Sequence, residues 1–87
     1  MTPKEAVENW MADGFVAEAQ RLNPNKPGDC AGLALVVMRR LRQSGMPSAP
    51  GSASFQEALR AAAARLKATG DATLSALAHN TVTLLAV

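Results

Sequence analysis

Cys30 and His79 are the single cysteine and the single histidine of the chain, and they form its one pairing suited to nucleophilic catalysis. A cysteine nucleophile needs an imidazole base within hydrogen-bond reach and a third group to orient that base. Asp29 stands where it would cap a helix, which places Cys30 in the first turn, where the positive dipole end favours a thiolate. The charge of Asp29 opposes that effect. The plainer reading, and the one adopted, makes Cys30 a small residue packed at a helix start. His79 is then a boundary residue beside the apolar stripe of the last helix.

Other chemistry is thinly supplied. One His and one Cys among scattered carboxylates do not make a four-ligand zinc site, so no metal and no cofactor are expected. Gly28-Asp29-Cys30-Ala31-Gly32 lacks the Lys and Ser/Thr of a phosphate-binding loop. Arg39, Arg40, Arg42, Arg60, Arg65 and Lys67 suggest a basic surface, with Arg39, Arg42 and Arg60 as its leading members. Without aromatic residues to stack on bases, that pattern reads as a solvated face rather than a nucleic-acid site.

The elements that would position these residues are helical. Thr2-Pro3-Lys4-Glu5 supplies a capping box with Pro at the first helical position. Val7, Trp10, Met11, Phe15, Ala19 and Leu22 follow at helical spacing, which predicts a helix over 3–22. Gly14 weakens its middle by about 1 kcal/mol relative to Ala and favours a kink. After a Pro- and Asn-rich connector, Asp29 predicts a helix over 29–44, ended by Gly45. Ser54-Phe55-Gln56-Glu57 reads as a second capping box, opening a helix over 54–69. Asp71 and the stripe Leu74, Leu77, Ala78, Thr81, Leu84, Leu85 predict a last helix over 71–86. The run Thr81-Val82-Thr83-Leu84 also has the β-branched richness of a strand.

Composition bounds the rest. Eighty-seven residues predict a single domain over 1–87, of a size that buries only about 60–65% of its unfolded surface. Hydrophobic residues make up 48% of the chain but include only Trp10, Phe15 and Phe55 as aromatics, so the core is aliphatic and thin. One cysteine rules out an internal disulfide framework and fits a reducing compartment. The apolar runs fall short of the ~20 residues of a membrane span, and Glu5, Glu8 and Asp13 occupy the place of a signal peptide's apolar stretch. A cytoplasmic location is expected. Residues 1–22 carry two basic and four acidic side chains, and the remainder carries seven basic and three acidic. The formal net charge is +2.

Asp29-Cys30-Ala31-Gly32-Leu33 resembles the Asp-Cys-Ser-Gly-Leu signature of the NlpC-type cell-wall cysteine endopeptidases, which have a papain-like fold. Gly45-Met46-Pro47 is similar to that family's Gly-Ile/Leu-Pro turn, Gln56 to a frequent glutamine, and Lys67-Ala68-Thr69-Gly70-Asp71 to its Gly-Asp-Leu strand entry. The resemblance covers roughly residues 19–87 and implies Cys30 as nucleophile and His79 as base of an amidase. The family's third catalytic position would lie about a dozen residues beyond His79, and its tyrosine upstream of the cysteine has no counterpart. The implied form is therefore a truncated or degenerate α+β member. Asp29-Cys30-Ala31 with Arg40-Leu41-Arg42 also resembles the second-helix opening of acyl and peptidyl carrier proteins. Those are four-helix domains, acidic where this chain is basic, with a serine at the place of Cys30.

Together these readings favour an all-α, compact four-helix domain over the truncated α+β alternative. The expected role is a protein–protein interaction module of adaptor, regulator or inhibitor type, without catalysis and without a membrane. Its partner is another protein, with a homodimer among the candidates. Trp10, Met11 and Phe15 are the expected docking anchors, because large apolar and aromatic groups dominate binding energy.

Overall fold

A computed structural model describes residues 1–86, and every regular element among them is a helix. There are five: α1 (Pro3–Ala12), α2 (Phe15–Gln20), α3 (Pro27–Gln43), α4 (Ala53–Ala68) and α5 (Ala72–Leu85). The α+β alternative is not supported, since Thr81-Val82-Thr83 continues α5 instead of forming a strand. Tertiary packing overrides the β preference of those residues: Thr81 is fully buried, on the same face as Leu74, Leu77 and Ala78.

The expected first helix is two. Thr2 forms the predicted capping box, its hydroxyl accepting from Glu5 N–H while Glu5 accepts from Thr2 N–H. The helix then stops at Asp13, and Gly14 takes φ = +85°, a left-handed conformation that L side chains rarely adopt. The break redirects the chain so that Phe15 and Ala19 enter the core beside Trp10. Gly14 thus acts as a corner, where its helix propensity alone suggests only a weak point.

Two starts also move. α3 opens at Pro27, two residues before the predicted start, because Pro favours the first helical position and forces Lys26 into extended backbone. Asp29 is therefore inside the first turn, and its carboxylate turns back to accept from Asn23 N–H at 2.7 Å. α4 is capped by Ser52, not Ser54. A turn from Ala49 presets Ser52, while the Ser54 hydroxyl donates to the Pro47 carbonyl. Glu57 does not close a box on its own helix: it accepts from Lys4 N–H at the start of α1, 3.1 Å away.

The remaining ends follow the sequence closely. Gly45 at φ = +75° closes α3, with Met46 N–H donating to Leu41 C=O and Gly45 N–H to Arg42 C=O. Those two bonds satisfy carbonyls that a helix end would otherwise leave unpaired. Asp71 caps α5 by accepting from Leu74 N–H. Within the bundle α4 is the central packing partner, lying chiefly against α5 and α1, while α3 covers both α4 and α5. The core centres on Phe15, Phe55, Leu33, Leu41, Leu59, Leu66 and Leu77, all essentially without solvent exposure.

Candidate functional site: the cleft beside Cys30

The start of α3 and the end of α5 meet under the connector that precedes Pro27. Between them lies an open cleft of about 200 Å³, lined by Pro24, Asn25, Pro27, Cys30, Asn80 and Leu84. The Pro24 carbonyl is its polar centre: it accepts from Asn80 Nδ2 at 2.9 Å and from the Cys30 thiol at 3.6 Å. Leu84, 54% exposed, brings an aliphatic side chain from the last turn of α5 to the cleft lining.

The two residues of the catalytic reading are not joined. Cys30 is 3% exposed, sits in the second turn of α3 and uses its S–H on the Pro24 carbonyl. His79 is exposed and is not part of the cleft lining; its neighbour Asn80 is. No hydrogen bond links Cys30 to His79 among the described residues. The earlier start of α3 also takes Cys30 past the exposed N–H groups of the first turn, because its own N–H already donates to Lys26 C=O. No group of three or more His, Cys, Asp or Glu residues suited to a metal occurs among the described residues.

The expected anchors Trp10, Met11 and Phe15 lie in or against the core. Trp10 is 4% exposed and Phe15 is fully buried, with ring centroids 5.9 Å apart. Met11 is half-buried against the same core. Their spacing on one face reflects packing and leaves no aromatic surface for a partner. The exposed large apolar side chains are instead Met1, Leu35 and Leu84.

The basic residues divide in two. Glu18 of α2 accepts from Arg39 at 2.6 Å and from Arg40, so Arg39 belongs to an intramolecular clamp. Arg40 has a side chain only 12% exposed; its guanidinium lies 5.7 Å from the centre of the Phe15 ring and also donates to the Asp13 carbonyl. Burial pushes the Glu18 carboxyl up, but the hydrogen bonds and charges of Arg40, then Arg39, outweigh it and hold the group below its ordinary value. Arg42 and Arg60 are exposed on α3 and α4.

Neither a family model nor a curated protein matches this chain. No solved structure does. Sequence reasoning passed over three of the cleft's main parts, Pro24, Asn80 and Leu84. Leu84 carried a signal: in the α5 stripe it sits on the flank of the face that Leu74, Leu77 and Thr81 bury. Pro24 and Asn80 carried none, because the 56 residues between them are bridged only by folding.

Proposed function

We propose that this chain is a protein-docking module that seats one large apolar side chain of a protein partner in the cleft between the connector, α3 and α5. The observation that carries the reading is Leu84, exposed at the rim of a cleft whose other walls are mainly Pro24, Pro27 and Cys30. At about 200 Å³ the space is below the roughly 300–1,000 Å³ of small-molecule sites, and it suits a single side chain. The Asn25 and Asn80 amides at its edges supply the polar groups that orient a peptide backbone. Helical docking segments commonly present such anchors at i, i+3, i+4 spacing. Arg42 and Arg60 make acidic segments compatible with the rest of the surface.

Selection from a displayed random-peptide library against the folded chain tests this. Enriched peptides should share one Leu, Ile, Phe or Met whose change to Ala abolishes binding. Leu84→Asp should weaken capture at least tenfold, a loss of about 1.4 kcal/mol, with an unchanged far-UV circular dichroism spectrum. If no apolar anchor emerges, or if Leu84→Asp binds the same peptides equally well, the cleft is not the docking site. Sedimentation equilibrium of the chain alone distinguishes the homodimer, which would use this same face without any added peptide.

A further inference from the structure

Residues Arg21–Lys26, which join α2 to α3, form one wall of the cleft through Pro24 and Asn25. Leu22 anchors the start of this segment by packing against the core beside Gly32, and the Lys26 carbonyl anchors its end by accepting from Asp29 and Cys30 N–H. Asn23–Asn25 between them is held more lightly. Arg21, Asn23, Asn25 and Lys26 are exposed, and only Leu22 and Pro24 are half-buried. The segment folds on itself, with Lys26 N–H donating to Asn23 C=O and Asn25 N–H to Asn23 Oδ1. Three side-chain bonds tie it to the body. Asn80 and Cys30 both donate to the Pro24 carbonyl, and Asp29 accepts from Asn23 N–H. Moving Asn23–Asn25 away, with Leu22 and Lys26 as fixed ends, breaks these few polar contacts and leaves Leu22 packed on the core that holds Phe15, Ala19, Leu33 and Val37. Segments held this way open locally, well below the free energy of global unfolding.

We infer that Asn23–Asn25 is a movable wall of the cleft, a lid over the Cys30 thiol, with Asn80 as the latch that holds its Pro24 carbonyl and Asp29 as a second tie. Closed, it leaves the 200 Å³ space and covers the Cys30 thiol. Open, it widens the cleft at the Pro24 wall and brings Cys30 to solvent. The inference does not depend on what docks in the cleft, because it concerns a motion of the free chain.

The native thiol reports that motion directly. Alkylation of Cys30 by iodoacetamide is followed in the folded chain across low urea, with the unfolded chain giving the intrinsic rate. Far-UV circular dichroism supplies the global stability of each variant. The expected result is labelling much slower than in the unfolded chain, yet faster than global unfolding permits and nearly independent of urea. Asn80→Ala and Asp29→Ala should each speed it roughly two- to tenfold, as loss of one hydrogen bond implies, beyond any change in their global stability. Labelling that follows global unfolding in wild type and variants alike would overturn the lid, as would a wild-type thiol that reacts at the unfolded rate. Should Asn80→Ala fail to fold, Asp29→Ala alone decides the matter.

Discussion

Glu18 joins the electrostatics of two helices. Its carboxylate holds Arg40, which is largely buried against Phe15, so removing that charge leaves a guanidinium with only the Asp13 carbonyl and the ring face. The bonds and charges of Arg40 and Arg39 hold the folded carboxyl below its ordinary value. Its contribution is fully present above the unfolded value and is lost as pH falls through the lower folded value. Glu18→Gln should cost on the order of 1–3 kcal/mol at neutral pH, the range of hydrogen bonds to charged groups, tempered by its partial exposure. It should also flatten the decline in stability below about pH 4.5, read by urea unfolding at several pH values. Part of the slope will survive, because the bonds from the Thr2 backbone and hydroxyl lower Glu5 in the same direction. Thr81 gives the opposite sign. Its hydroxyl is fully buried with no hydrogen-bond partner among the described residues, so Thr81→Val replaces an unsatisfied polar atom with a methyl of similar size. The variant should be more stable by about 1 kcal/mol, within the 1–3 that an unsatisfied buried group costs. A lower midpoint in thermal or urea unfolding would contradict that account.

Helix ends show how element boundaries are chosen. Ser52 and Ser54 both precede the apolar run of α4, and either is chemically able to cap it. Ser52 does so, because its extended backbone aims the hydroxyl at Phe55 N–H, while Ser54 is drawn to the Pro47 carbonyl of the preceding loop. Ser52→Ala should therefore destabilise by about 1 kcal/mol as a lost cap. The Ser54→Ala effect should instead appear as faster amide exchange in the 45–52 loop, measured by hydrogen–deuterium exchange. Glu57 carries the same lesson further. Its predicted role was local, at the start of α4, yet packing of α1 on α4 brings it to the positive end of α1. A carboxylate reaches whichever unpaired N–H groups the fold places nearest.

Across the whole molecule the margin is small. Eighty-seven residues correspond to a total stability of about 4–13 kcal/mol. Phe55 is fully buried in the central helix α4, and its truncation to Ala should cost about 3–5 kcal/mol. Phe55→Ala is thus expected to lower the urea midpoint sharply and to leave a substantial unfolded fraction at 37 °C, seen as lost far-UV signal. Leu84→Asp should lower the unfolding free energy by no more than about 1 kcal/mol, the size of an unfavourable charge at a helix C-terminus. The contrast separates the core from the cleft rim. No helix among the described residues is long and apolar enough to cross a membrane.

What was legible in the sequence is what neighbouring residues settle among themselves. Apolar spacing marked α3, α4 and α5, Thr2 and Asp71 capped their helices as expected, and Gly45 ended α3, because each of those interactions joins residues close together in the chain. Candidate chemistry was legible only as residue types. Folding decided that Cys30 faces Pro24 and Asn80 while His79 stays in solvent. It also turned Trp10 and Phe15 inward, split the first helix at Gly14, and assembled a cleft from residues 24 to 84. Such placements depend on how helix faces pack on one another, and periodicity says which face is apolar without saying what it meets. Cys30 opened the question as a possible nucleophile and closes it as the covered wall of a cleft.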